Sequence, residues 1–165
     1  MRASILIWIL VALIVLSILF ARPIKQAMTR GYANKNPGNI RITFKNVGGT
    51  VTQEYWQGEI KGRDKDFKTF KSMEYGYRAI FVLLRTYISK GLNTIEKIVS
   101  TYAPHNENDT NSYIRAVELV SKIPRNTLLS FSNKEDMIKI VKGISLQENC
   151  VTANESEIRN GLKLL

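Results

Sequence analysis

The sequence has few of the residues that build cross-links and metal sites. It contains one cysteine, Cys150, and one histidine, His105. An internal disulfide needs two cysteines and a structural zinc site needs three or four nitrogen or sulfur ligands, so both are excluded. The lone histidine follows a proline in a polar stretch, which makes a histidine-dependent nucleophilic triad a poor fit. The sequence therefore predicts no metal and no cofactor.

Acidic residues are also scarce. The chain has 14 aspartate and glutamate residues against 24 lysine and arginine residues, which gives a formal net charge of +10. The positive charge is spread along the chain and not gathered in one arm, so it describes a basic surface. Nucleic acid, anionic lipid headgroups and anionic cell-wall polymers all suit such a surface. Nucleic acid is the least favoured partner, because no helix-turn-helix or RNA-recognition signature is present.

Polar side chains are nearly absent from the N-terminal run between Ala3 and Ala21, which only Ser4 and Ser17 interrupt. A helix over this run would nearly match the hydrocarbon core of a bilayer, which is about 30 Å thick. We therefore predict a transmembrane anchor over residues 1–22, a single-pass membrane protein and the lipid bilayer as one partner. The basic linker at residues 23–30 favours a cytoplasmic domain by the positive-inside rule.

The rest of the chain is long enough for one domain with its own core. Turn-forming residues are followed by three short β-prone runs, which predict a small antiparallel hairpin or a three-stranded sheet: 42–44, 50–55 and 67–70. After Ser72, apolar residues recur at helical spacing in four segments. The predicted fold class is α+β and mainly helical, with the domain over residues 31–145 and a weakly patterned C-terminal tail over 146–165.

The segment from residue 34 to residue 41 combines three asparagines with a proline and a glycine. This composition suits a loop that presents amide groups to a polar ligand such as a sugar, and a plain structural turn is the alternative. Two neighbouring aromatic residues could hold a sugar ring beside it. The predicted substrate-binding residues are Asn34, Asn36, Asn39, Arg41, Tyr55 and Trp56.

Glycoside cleavage needs one or two carboxyl groups, one of them kept protonated by apolar surroundings. Glu74 stands among Met73, Tyr75 and Tyr77, so we expect its pKa to be raised. Glu107 precedes the third predicted helix, where a favourable interaction with the helix dipole is the alternative role. These two glutamates are the catalytic candidates, against the alternative that each is a solvated surface acid.

Five ordered blocks of the sequence resemble a known family. They are Asn36-Pro37-Gly38-Asn39-Ile40-Arg41, Trp56-Gln57-Gly58, Phe67-Lys68-Thr69-Phe70, Gly76-Tyr77-Arg78-Ala79, and Glu107-Asn108-Asp109-Thr110 before Tyr113-Ile114. Together they resemble phage and prophage proteins described as virion structural or lysozyme-like proteins, and more distantly bacterial N-acetylglucosaminidases. The resemblance implies a lysozyme-like domain that binds the glycan strands of peptidoglycan and cleaves them as a glycoside hydrolase or a lytic transglycosylase.

The sequence departs from this family pattern in one respect. In the hydrolases that it resembles, the catalytic glutamate lies on a helix before the asparagine-rich loop, and here residues 1–30 contain no acid. Either a carboxylate further along the chain acts in its place, or the domain is a non-catalytic virion or membrane structural protein. A hydrolase of peptidoglycan also has to lie on the periplasmic side, so the resemblance and the positive-inside rule favour opposite sides of the membrane.

Overall fold

The computed structural model describes residues 7–16, 29–105 and 109–165 of the chain. Residues 7–16 are helical and belong to α1. Among the described residues, no helix is both long enough and apolar enough to cross a membrane. The predictions of a transmembrane helix and of a single-pass membrane location are therefore wrong. Residues 1–6 and 17–22 of the predicted anchor lie outside the described residues.

The described residues are mainly helical with two small sheets, which agrees with the predicted α+β, mainly helical secondary structure. After α1 the elements are α2 (Arg30–Ala33), β1 (Phe44–Val47), β2 (Thr50–Gln53), β3 (Glu59–Ile60), β4 (Thr69–Phe70), α3 (Met73–Ser89), α4 (Ile95–Tyr102), α5 (Thr110–Ser121), α6 (Lys134–Asn149) and α7 (Glu155–Lys163).

The strands form two separate antiparallel pairs. β1 and β2 make a hairpin in which Phe44 lies opposite Gln53, and its turn is Gly48-Gly49, with φ values of 58° and 86° that suit glycine. β4 pairs with β3 and does not join the hairpin. The three-stranded alternative is therefore wrong. The strand that pairs with β4 could not be predicted, because β3 is only two residues long and gives no periodic signal in the sequence.

The helices begin at side-chain caps. Thr94, Asp109 and Asn133 each accept a hydrogen bond from a backbone N–H in the first turn of α4, α5 and α6, respectively. The cap of α6 at Asn133 is one of the two residues that the pattern predicts. The cap of α4 lies one residue after the predicted Asn93.

The core forms where α3, α4, α5 and α6 turn their apolar stripes toward one another. Most inward positions predicted from helical spacing are buried in these helices, whereas Tyr87, Ile88, Tyr102 and Val120, also predicted to face inward, are half-buried. The buried members are Tyr77, Ile80, Phe81, Leu84, Ile95, Ile98, Val99, Tyr113, Val117, Met137, Ile140, Val141 and Ile144.

The C-terminal segment is ordered into helix, which its weak apolar pattern did not predict. α6 continues to Asn149, and α7 packs against α3 with Ile158 fully buried. Gly161 makes this approach close, since a Cβ atom there would lie 2.7 Å from the backbone oxygen of Glu74. The segment 146–165 is thus part of the packed domain.

Helix α3 also contacts the asparagine-rich loop through a glycine. A Cβ atom at Gly76 would collide with the carbonyl oxygen of Lys35 and with the ring of Pro37. The first turn of α3 therefore fixes how closely the loop packs against the helix.

We predict that Gly76→Ala lowers the stability of the domain by about 1–3 kcal/mol, because the added methyl group overpacks the contact between α3 and the loop. Helix propensity alone predicts the opposite sign, a gain of up to about 1 kcal/mol. Urea denaturation of the variant measures the difference. Arg85→Ala, at an exposed position of the same helix, is the matched control. A stabilised Gly76→Ala variant would contradict the close packing.

Candidate functional site

A cleft lies between the asparagine-rich loop, α3, the end of α4 and the end of α6. Its volume is about 630 Å³. Its described lining residues are Gly38, Asn39, Ile40, Arg41, Thr43, Trp56, Phe67, Leu83, Tyr87, Tyr102, Ala103 and Glu148. Glu148 is the one carboxylate among them, in a wall that is otherwise mostly apolar and aromatic.

The loop is shaped by the side chain of Asn36, which is fully buried. Its Nδ2 donates to the carbonyl oxygens of Ile40, at 2.9 Å, and of Lys68, at 2.8 Å. Its Oδ1 accepts from the Ile40 N–H at 2.9 Å. The amide therefore closes the turn over residues 36–40 and ties it to the segment that enters β4, where it supplies hydrogen bonds to buried backbone groups.

The end of α6 is attached to this turn by hydrogen bonds. Asn149 donates through Nδ2 to the carbonyl oxygen of Pro37 at 2.8 Å. Asn39, whose φ of 46° is in the left-handed region that asparagine tolerates, donates through Nδ2 to Glu148 Oε2 at 2.9 Å. Tyr102, at the end of α4, donates its hydroxyl hydrogen to the carbonyl oxygen of Gly38. The loop is thus fixed from both sides of the cleft.

Glu148 combines partial burial with two hydrogen bonds. Burial raises the pKa of its carboxyl group above the ordinary glutamate value. The hydrogen bonds from Asn39 to Oε2 and from the Tyr113 hydroxyl to Oε1, the latter at 2.8 Å, act in the opposite direction, because they stabilise the charged form. Burial dominates, so the carboxyl group keeps its proton to a higher pH than a solvated glutamate does.

The remaining wall of the cleft offers aromatic surface and one cation. Trp56, Phe67, Tyr87 and Tyr102 contribute rings. The Arg41 guanidinium carbon lies 5.2 Å from the centre of the Phe67 ring. Such a wall suits a ligand with both apolar faces and polar edges, which is the chemical character of a sugar.

The structure brings three of the predicted binding residues together in this cleft, namely Asn39, Arg41 and Trp56. Tyr55 instead lines a second cavity of about 180 Å³, because successive side chains of an extended segment point to opposite sides. Asn36 is occupied by the loop backbone, as described above.

Asn34 lies outside the cleft and is bound to another loop. Its Nδ2 donates to Asp64 Oδ2 at 2.7 Å, and its Oδ1 accepts from the Thr69 hydroxyl at 3.3 Å. Asp64 also receives two hydrogen bonds from Arg30, and hydrogen bonding to Arg30 is the main cause that lowers the pKa of the Asp64 carboxyl group. Asn34 is thereby part of a polar junction between α2 and the segment before β4.

The predicted catalytic residue Glu74 does not line the cleft. Its pKa is lowered, where we expected it to be raised. The main cause is a hydrogen bond with the Ser72 side chain, followed by a bond with its own backbone N–H and the positive charge of Lys35. Glu74 thus occupies the first turn of α3, where a negative charge is favoured. Glu107, the other candidate, lies outside the described residues.

Glu148 is the residue that the sequence analysis missed. The inward stripe of α6, read as ending at Ile144, continues four residues further and reaches Glu148. A carboxylate on the core-facing stripe of a helix is uncommon, because a buried charge is costly without partners. An acidic residue on the inward stripe of α6 was therefore the feature of the sequence by which Glu148 could have been found. Among the described residues, no group of three or more histidine, cysteine, aspartate or glutamate side chains could hold a metal ion.

Comparison with known proteins identifies a phage relative. No protein-family model matches the chain. It is 37% identical over 133 residues to a protein named Protein P5 of Pseudoalteromonas phage PM2, and the alignment covers 79% of this chain and 77% of that protein. The chain belongs to the family of this phage protein. The match supports the predicted relation to phage proteins, whereas it does not address the lysozyme-like part of the resemblance.

We predict that Glu148→Gln is more stable than the wild type at pH 8 and that this advantage disappears toward pH 4. The folded-state pKa of Glu148 is raised, so the wild type loses stability as the pH rises through that pKa and a buried charge forms. Thermal denaturation from about pH 4 to pH 8 measures the effect.

The control for this series is Glu74→Gln, for which we expect the opposite dependence of stability on pH. The folded-state pKa of Glu74 is lowered, so its charge stabilises the fold at neutral pH and the contribution is lost in acid. The Gln variant should therefore be less stable than the wild type at pH 8 and equal to it in acid. A pH-independent difference for Glu148→Gln would contradict the burial of its carboxyl group.

Proposed function

We propose that this phage-family protein binds glycan strands of bacterial peptidoglycan in the Glu148 cleft and cleaves a glycosidic bond, with Glu148 as the proton donor. The observation that carries the proposal is the position of this carboxyl group. It lies in the wall of an aromatic cleft, bonded to Asn39 of the asparagine-rich loop, and burial raises its pKa. A carboxyl group whose pKa is raised by its surroundings is the kind of acid that glycoside cleavage requires.

In this proposal, Glu148 takes the place of the catalytic acid that the sequence lacks before the loop. The hydrolases that the sequence resembles carry their catalytic glutamate on a helix preceding this loop. Here the loop meets a glutamate from a helix that follows it, 109 positions further along the chain. The family membership and the net charge of +10 support the same substrate, because phages meet the cell wall and its polymers are anionic.

In the proposed reaction, the Glu148 carboxyl group donates its proton to the glycosidic oxygen as the bond from that oxygen to the anomeric carbon breaks. The leaving sugar departs as an alcohol, and an attacking oxygen forms a bond to the anomeric carbon of the other sugar as positive charge develops there. That oxygen gives up its proton to the Glu148 carboxylate, which restores the acid. Water as the attacking group gives hydrolysis. A hydroxyl group of the same sugar gives an internal ether, the product of a lytic transglycosylase. The two products differ by one water molecule.

We predict that Glu148→Gln lowers the rate of sugar release from purified peptidoglycan by about 10²-fold or more, because the amide occupies the same space and has no acidic proton. Mass spectrometry of the soluble products measures the rate and separates hydrolysis from internal ether formation. Glu74→Gln should release products at the wild-type rate, since Glu74 does not line the cleft.

Two other results would overturn the catalytic part of the proposal. One is that the wild type releases no soluble products, and the other is that Glu148→Gln is as active as the wild type. Co-sedimentation with insoluble peptidoglycan, measured on the same samples, then tests binding. Binding without release would favour the non-catalytic virion protein, whereas neither binding nor release would remove peptidoglycan as the ligand.

A further inference from the structure

A buried ion pair lies beside the cleft. It has no part in the proposed reaction. Lys68 Nζ and Glu59 Oε2 are 2.8 Å apart, and their side chains are 0% and 1% exposed. Lys68 Nζ also donates to the carbonyl oxygen of Glu54 at 2.5 Å. Glu59 Oε1 accepts from Gln53 Nε2 at 2.9 Å. Both charges are thus fully enclosed and hydrogen-bonded.

Stability alone does not explain this pair. Removing two charges from water costs about as much as their attraction returns, and replacing buried pairs by apolar side chains is often neutral or stabilising. The β3–β4 sheet that carries Glu59 is only two residue pairs long, and apolar side chains could fill the same space. The pair is therefore expected to serve a purpose that apolar packing would not serve.

The shared neighbour of the two charges is Trp56. Its backbone N–H donates to Glu59 Oε2 at 2.9 Å, and its carbonyl oxygen accepts from the Glu59 N–H, also at 2.9 Å. The Lys68 ammonium nitrogen lies 5.5 Å from the centre of the Trp56 ring, within the range of a cation–π contact. The pair thus holds both the backbone of Trp56 and its ring, which is half-buried and lines the cleft.

We propose that the Glu59–Lys68 pair is a positioning device that fixes Trp56 as a stacking surface for a sugar ring. This inference rests on the proposed function, in which the cleft holds a glycan. The pair acts through Trp56 and not on the scissile bond, so it sets the affinity for the glycan and leaves the proton transfer from Glu148 unchanged. An aromatic ring gains affinity for a ligand when its orientation is fixed before binding, because less conformational freedom is lost.

The test replaces the pair by apolar residues in the double variant Glu59→Leu/Lys68→Met. We expect the double variant to fold with a lower melting temperature than the wild type, because the Trp56 N–H and the Glu54 carbonyl lose their partners, and binding is measured well below that temperature. Its dissociation constant for a soluble oligomer of N-acetylglucosamine, measured by calorimetry, should rise about tenfold. With peptidoglycan as substrate, KM should rise while kcat changes little. A matched control is Glu135→Leu/Arg159→Met, which removes an exposed ion pair of 2.7 Å and should change neither constant.

A second measurement requires no sugar. The chain has two tryptophans, so Trp8→Phe leaves Trp56 as the single tryptophan, which is excited selectively over the tyrosines at long wavelength. Quenching of its fluorescence by acrylamide should increase in the double variant, because the released ring is more accessible. Should the double variant fail to fold, Glu59→Asp keeps the charge while the shorter side chain withdraws from the Trp56 N–H, and the same increase is expected.

The outcomes separate the two proposals. Wild-type affinity together with wild-type quenching in a folded variant overturns the positioning role. Increased quenching with weaker sugar binding supports it. If the wild type binds no oligosaccharide, the glycan-binding proposal fails, and the quenching measurement still decides whether the pair positions Trp56.

Discussion

The burial of one amide side chain is the constraint on which the cleft depends. Asn36 satisfies backbone groups of Ile40 and Lys68 at once, so the turn after it and the segment entering β4 hold a single relative position. Asn39 is thereby placed in its left-handed conformation with its amide directed at Glu148. The close contact of Gly76 in α3 with Lys35 and Pro37 of the loop supports the same arrangement. Cleft shape and carboxyl environment are thus two results of one buried hydrogen-bond cluster.

The helices and their inward faces could be predicted from the sequence because helical spacing is a local signal. The positions expected to face inward in α3 and α6, such as Phe81 and Ile140, are buried. The β3 strand and helix α7 could not be predicted in the same way. A two-residue strand has no period, and α7 is held mainly by its contact with α3 at Gly161, which involves residues far away in the sequence.

The candidate site was predicted in part, and its errors share one cause. Asparagine composition marks a shaped loop correctly, but it does not distinguish an amide that lines the cleft, as that of Asn39 does, from one whose hydrogen bonds all go to the backbone, as those of Asn36 do. The aromatic neighbours of Glu74 in the sequence likewise do not surround it in space, and its place at the start of a helix lowers its pKa. Desolvation depends on packing between distant elements, which explains why Glu148 was missed.

The separation of Asn39 and Glu148 along the chain determines when the site can exist. Their contact spans 109 positions, and Asn149 closes the neighbouring contact with Pro37 over 112. Contacts at such separation form late in folding, after local helices and hairpins. The cleft therefore lacks the proposed acid until α6 has been synthesised and has packed against the other core helices. The proposed activity thus depends on the completed helical core and not on the loop alone.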